Sequence, residues 1–417
     1  GALEIWEMSG CIEVRGMDLD SPDLLPDVLS ALDRLMGFFG MKGVDIVRIR
    51  EILGTDASEL DDEKVKSLTD SGYRYVNGFY AKGDFVDRVM TDEEHIRYVF
   101  QKQRVSKSSK FHSVDEAVKA RGYIRNDQEM VTRVSQKIPL KKILGKGDML
   151  RMSLLPSYVG YTTAEFAPLY RAAKTCELEP DARSIMEMIG DRQPVSRKEL
   201  IANSPFSEER TLELQSELSK ASILYQDSDS FYYLVPAANI SKENAIKAIV
   251  KRHFSDFGMF SAEELSQFIS ARMSVVRRTL SILEKEGYLI KGFFLKDDPT
   301  LRWMLKEDAD TIPEPFDEML LLNTQDNLHI YLRDMIKKEC GSTECVVFDG
   351  IKIIGSFSGK ISSSGAKVED FKGSDKAYRH MKETAKALGV KIEEVKPPEE
   401  EDWDVSEFYL KTNPGAI

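Results

Sequence analysis

A chain of 417 residues with 42% apolar residues is long enough for about two to four domains, each with its own core. No run approaches the roughly 18 to 20 consecutive apolar residues of a membrane span, and four cysteines are too few for a disulfide framework. A net charge of −12 excludes a uniformly basic coat, although binding footprints depend on patches and not on totals.

The expectation is a trimmed fragment of a protein from a reducing, cytoplasmic compartment, with no membrane partner, since GALEIWEMSG lacks the marks of a secretory signal. Residues 101–110, QKQRVSKSSK, and 137–146, KIPLKKILGK, are basic, whereas 394–404, EVKPPEEEDWD, is acidic. The pattern of elements predicts an α+β chain of several winged-helix units ending in a mixed α/β domain. A winged-helix-like unit is expected over 1–100, a helical connection over 101–180, winged-helix domains over 181–240 and 241–312, an α+β domain over 313–393 and an acidic tail over 394–417.

In the first unit, helices are expected at 28–39, 46–53 and 61–68, followed by the alternating string SGYRYVNGFYAK. With one residue inserted, Gly72, Tyr73, Gly78, Phe79, Arg88 and Met90 match Gly287, Tyr288, Gly292, Phe293, Arg302 and Met304, an internal repeat. Helices follow at 92–103 and 113–120. The stretch 149–173 contains Pro156, Gly160 and Pro168 and reads as a connection packed on the next unit.

The second unit has a first helix with apolar Ile185, Met186, Met188 and Ile189, and a capping box of Ser196 with Glu199. Its third helix spans 208–220, and the tip Asp227-Ser228-Asp229-Ser230 turns the wing. The third unit places a helix at 244–254, a break at Gly258, a second capping box at Ser261 with Glu264, and helices at 262–269 and 274–286. Its wing, YLIKGFFL, is expected to turn at Lys291-Gly292. Beyond residue 316 the sequence predicts a helix at 328–338, two strands joined by the hairpin dipeptide Asp349-Gly350, and a helix at 376–388.

The adjacent arginines Arg277 and Arg278 cannot both face a core, so with Arg272, Lys285 and Lys291 they are candidate phosphate contacts; Lys102, Arg104, Lys107 and Lys110 form a second basic run. Trp303, between Leu301 and Met304, belongs to a core. Cys340 and Cys345 lack a second pair for a closed zinc set, and the remaining histidines are dispersed, so no metal is expected. The string GSFSGK at 355–360 is one residue short of a phosphate loop; no cofactor is expected, and an ATPase motor would lie elsewhere.

The strings FGMFSAEELSQFI, VVRRTLSILEKEGYLIKG, TIPEPFDEMLLL and VVFDGIKIIGSF, in that order, resemble the tandem winged-helix architecture of AlkZ-like DNA glycosylases and of the carboxy-terminal part of large helicase-related (Lhr) proteins. The resemblance implies DNA handling, as a helicase-associated accessory module or as a glycosylase; a winged-helix protein scaffold is a third reading. Such glycosylases carry a Q-x-Q or Q-x-D motif. Its counterpart here, LLPSYVGYTTAEFAPLYRA at 154–172, has no glutamine, and Gln101-Lys102-Gln103 matches the letters in a basic helix end. Glu165, Asp317 and Asp326 are the candidate carboxylates for base excision, but independent catalysis is not expected of this fragment.

Overall fold

The computed structural model describes residues 2–8, 11–18, 24–41, 43–46, 62–70, 74–76, 79–82, 86, 88–135, 149–155, 159–174, 177–227, 229–296, 298, 300–362 and 365–392. The basic run at 137–146, the tail at 394–417 and most of the helix expected at 46–53 lie outside them, as do Gly72, Tyr73 and Gly78 of the internal repeat. The architecture is mixed α/β, with several helix-strand modules and open sheets. The chain divides into two compact units, Gly1–Val99 with His253–Pro313, and Phe100–Arg252 with Glu314–Ile417.

The first unit opens with β1 (Ala2–Met8) and β2 (Cys11–Asp18), an antiparallel hairpin, then α1 (Leu25–Phe39) and β3 (Gly43–Ile46). The strand β3 runs parallel to β2, a pairing that requires a crossover, which α1 provides. After α2 (Asp62–Asp70), the pair β4 (Arg74–Val76) and β5 (Phe79–Lys82) completes a five-stranded sheet in the order β1-β2-β3-β5-β4. Ile12, Val14, Leu29, Leu32, Val44 and Leu68 close its core. The helices expected at 28–39 and 61–68 and the strand pair after them are present, but Ile46 ends a strand where a helix was expected to begin, and a β-α-β crossover carries the chain.

Helix α3 (Asp92–Lys102) leads into the second unit. There α4 (Val114–Arg121) and α5 (Asp127–Arg133) are capped by Ser113 and Asn126, whose side chains accept from Glu116 and Glu129 N–H. Next come β6 (Met149–Ser153), β7 (Val159–Thr163) and α6 (Ala167–Ala173). The expected second winged-helix pattern follows as α7 (Pro180–Arg192), α8 (Arg197–Asn203), α9 (Glu208–Lys220), β8 (Leu224–Gln226) and β9 (Tyr232–Leu234). Its capping box is formed: Ser196 and Glu199 satisfy each other's backbone N–H. The residues read as a connection contribute a strand, since β6 pairs with β8 and the sheet runs β7-β6-β8-β9.

The third pattern comprises α10 (Lys242–Phe257), β10 (Met259–Ser261), α11 (Ala262–Ile269), α12 (Met273–Lys285), β11 (Leu289–Gly292) and β12 (Arg302–Leu305), with sheet order β10-β12-β11. Gly258 breaks α10 at φ +79, and a Cβ there would lie 1.9 Å from the Tyr98 hydroxyl, so only glycine fits. The wing does not turn at Lys291-Gly292. Those residues pair with Trp303 and Arg302 as strand, and the connection spans 293–301, because the aromatic run continues into the core: Phe293 and Phe294 are buried.

The second unit closes with β13 (Met319–Asn323), α13 (Asn327–Tyr331), α14 (Arg333–Cys340), β14 (Cys345–Asp349), β15 (Lys352–Ser362), β16 (Gly365–Gly373) and α15 (Asp375–Ala387). The four strands are antiparallel in chain order, and the predicted hairpin turns one residue later than expected, through Gly350-Ile351 with Gly350 at φ 59, because Asp349 still pairs with Lys352 as strand. Helix α15 presents Ala377, Met381 and Ala385 to Leu321, Val347 and Phe357.

Candidate nucleic-acid interface

Helix α12 buries Val276, Thr279, Leu280 and Leu283, and each fully buried aliphatic side chain contributes about 1.5 to 3 kcal/mol. The spacing of that inner face turns Ser274, Arg278, Ser281 and Lys285 outward, and all four are exposed. Arg272 occupies the N-cap, exposed and without a capping bond from its side chain. Arg277 stands aside from this stripe, a third exposed and 3.9 Å from Glu263. Lys285 lies in the last turn, where a cation is favoured by the helix dipole. The two arginines therefore divide as their adjacency requires.

Lys291 does not join the exposed face. It is 6% exposed, on β11 opposite Trp303. Trp303 is itself core, 2% exposed, and its indole N–H donates to Glu284 at 3.2 Å.

Behind this face, Arg302 clamps the wing. It donates to Asp298 at 2.7 Å and to Glu264 at 2.8 Å, so the capping-box glutamate of α11 serves two purposes. Burial works most strongly to raise the Glu264 carboxyl, but the charge and hydrogen bond of Arg302 together with the Ser261 N–H outweigh it and hold the group below its ordinary value. Half-buried beside them, the imidazole of His95 is pushed down to about 4 by loss of solvent and by the Arg302 charge.

The second basic run divides as well. Arg104 and Lys107 are exposed, whereas Lys102 and Lys110 are half-buried. The Arg104 guanidinium lies 4.5 Å from the Phe111 ring centroid, and Lys110 donates to the Val131 carbonyl at 3.0 Å. Glu318 holds the loop, accepting from Ser106 Oγ at 2.8 Å and Lys107 N–H at 2.9 Å.

Of the candidate carboxylates, Glu165 and Asp317 are exposed. Asp326 is fully buried: it caps α13 through Leu328 N–H at 2.8 Å and takes both Arg133 Nη atoms, at 2.6 and 2.7 Å. Gln103, 1% exposed, accepts from Arg133 at 2.9 Å. Arg121 in turn pairs with Glu129 at 2.8 Å. Sequence reasoning missed this buried network; its only local signal was the buried registration of Arg121 and Arg133 on two short capped helices.

Residues 355–360 lie within strand β15, not in a phosphate-cradling loop before a helix. Cys345 is buried at the start of β14 and its thiol donates to the Gly359 carbonyl at 3.4 Å, while Cys340 is pushed up to about 11 by burial and by Glu339. Among the described residues, no three His, Cys, Asp or Glu side chains converge in a group that could hold a metal ion, and no helix is long and apolar enough to cross a membrane.

The fold defines a chain of tandem winged-helix-like modules with open sheets, one of which carries a cationic outer helix. It is similar to the solved structure of Streptomyces sahachiroi DNA glycosylase AlkZ, with a TM-score of 0.55 and 13% sequence identity over 72% of this chain and 98% of that one. At that identity the likeness is one of fold. No protein-family model matches the sequence, and no curated protein matches it.

Proposed function

We propose that the chain is a DNA-binding protein that grips the phosphate backbone with the outer face of α12, as an accessory region of a larger, helicase-related assembly whose ATPase lies elsewhere. The observation that carries this reading is the outward stripe of Arg278 and Lys285, with Arg272 at the same helix's start, on a winged-helix module of the kind that presents one helix to a groove. Independent base excision is not part of the proposal: Asp326 and Gln103 are committed to Arg133, and Glu165 and Asp317 face solvent.

Fluorescence anisotropy with a DNA duplex across a salt series tests it. Binding should weaken with salt, and replacing Arg278 and Lys285 together by alanine should lower the logarithmic salt slope by about one to two. An unchanged slope and affinity would remove α12 from the interface. Binding no tighter than to an acidic polymer would favour a protein scaffold. The glycosylase reading keeps one support, the extent of the fold likeness to AlkZ; abasic-site formation on a damaged duplex would establish it.

A further inference from the structure

The last turn of α12 ends on a cavity of about 430 Å³ within the first unit, inside the roughly 300 to 1,000 Å³ of small-ligand sites. Its polar lining is of both signs: Arg88, Lys291 and Lys306 against Glu284 and Asp310. Lys306 and Asp310 are exposed and mark the mouth, whereas Lys291 is 6% exposed and forms the wall. Phe294 and Leu289 supply apolar surface. Gly287 also lines it, at φ +70, with nothing within 4 Å of where a Cβ would stand, so the space at the helix end is open.

A lining of this kind selects against simple ligands. Inorganic phosphate or a dicarboxylate would meet two carboxylates and the negative end of the α12 dipole. An apolar ligand would strip water from five charged groups without replacing it. The complementary ligand has an anionic group for the lysines, N–H donors for Glu284 and Asp310, and a flat apolar face for Phe294. A nucleotide combines these, since adenine and cytosine carry exocyclic amino donors beside a ring.

We propose that this cavity receives one unpaired nucleotide, phosphate toward Lys306 and base edge toward Glu284, either within a strand or free. The strand form rests on the proposed DNA reading, because the cavity begins where the exposed stripe ends at Lys285. The function so assigned to α12 is then to hold a junction: duplex on the outer face, and a nucleotide without a pairing partner at the helix end.

The full chain is tested by anisotropy with a blunt duplex and with the same duplex bearing a short tail of adenines and cytosines, and by calorimetry with dAMP and dCMP. The tail should raise affinity about tenfold. Lys306→Gln should remove that increment, and so should Gly287→Asn, which tolerates positive φ and fills the open space. Both should leave blunt-duplex affinity within about twofold, since neither alters the outer stripe. Equal affinity for both duplexes without mononucleotide uptake would overturn the inference, as would a tail increment unchanged in both variants. Mononucleotide binding that both variants abolish, without any tail preference, would support the free form. That same result with no duplex binding at all would reject the proposed DNA reading while upholding the cavity assignment.

Discussion

Modules α7–β9 and α10–β12 are built to one plan and finished with different surfaces. Their third helices, α9 and α12, are each 13 residues long, and aligned end to end they share three buried positions, Thr211 with Val276, Leu214 with Thr279 and Leu218 with Leu283, to which α12 adds Leu280. Two of the four outward positions diverge, whereas Ser216 and Lys220 repeat Ser281 and Lys285. Glu209 stands where α12 has Ser274, and Glu213 where it has Arg278. The cation nearest the start of α9, Arg210, is held by Glu179 at 2.7 Å, Asp181 at 3.3 Å and Glu213 at 3.2 Å. Packing constrains the inner face of a helix; the outer face is left to function, and here the first two turns of the copies differ in charge while the last turn keeps its lysine.

The supports behind the two wings differ too, and the largest expected effect comes from there. The capping-box glutamate of α8, Glu199, is exposed and bonded only locally to Ser196, whereas Glu264 also receives Arg302. Arg302→Met should therefore cost about 3 kcal/mol in urea unfolding, the lower end for a broken buried ion pair because Glu264 and Asp298 keep partial solvent access. A loss below about 1 kcal/mol would show that strand pairing alone holds this wing.

The same cluster makes a pH prediction. The folded pKa of His95 is about 4, against about 6.5 unfolded, so between these values the unfolded state binds more protons than the folded one. Stability is then intact above pH 6.5, declines as pH falls toward 4, and reaches about 2 to 3 kcal/mol of loss. His95→Asn should flatten that part of the pH profile in chemical unfolding; a parallel profile would place the acid sensitivity on other groups.

Next in size is the outer face. Arg278→Glu gives α12 the residue that α9 carries at Glu213, and at low salt duplex affinity should fall about tenfold. The reciprocal Glu213→Arg should raise affinity by no more than about twofold, since the α9 module retains an acidic wing tip and Glu209. Equal and opposite shifts would mean that both modules touch DNA.

What was legible in the sequence was local. Both capping boxes, the bounds of α9 and the hairpin closed at Gly350 depend on residues within a turn of one another. Lys291 was misplaced because one lysine in a run of aromatic and aliphatic residues looks like a turn and is a strand position, paired with a tryptophan on the far side of a connection. Asp326 resembled a catalytic carboxylate because its partner, Arg133, is 193 residues away. The parallel β2-β3 pairing was likewise invisible, since hydrophobic alternation marks a strand without naming its neighbour.

The smallest effect discriminates the two modules most finely. Ser196→Ala and Ser261→Ala delete the same hydroxyl from the same motif, so a purely local account predicts equal losses of about 1 kcal/mol. Burial separates them. Ser196 is half-buried, and water can replace its hydroxyl at the Glu199 N–H; Ser261 is 1% exposed, which leaves the Glu264 N–H without a partner or solvent. Thermal unfolding should thus give about 0.5 to 1 kcal/mol for Ser196→Ala and about 2 kcal/mol for Ser261→Ala. If the losses are equal, water reaches the α11 terminus, and the Arg302 clamp beside it is wetter and weaker than its distances imply.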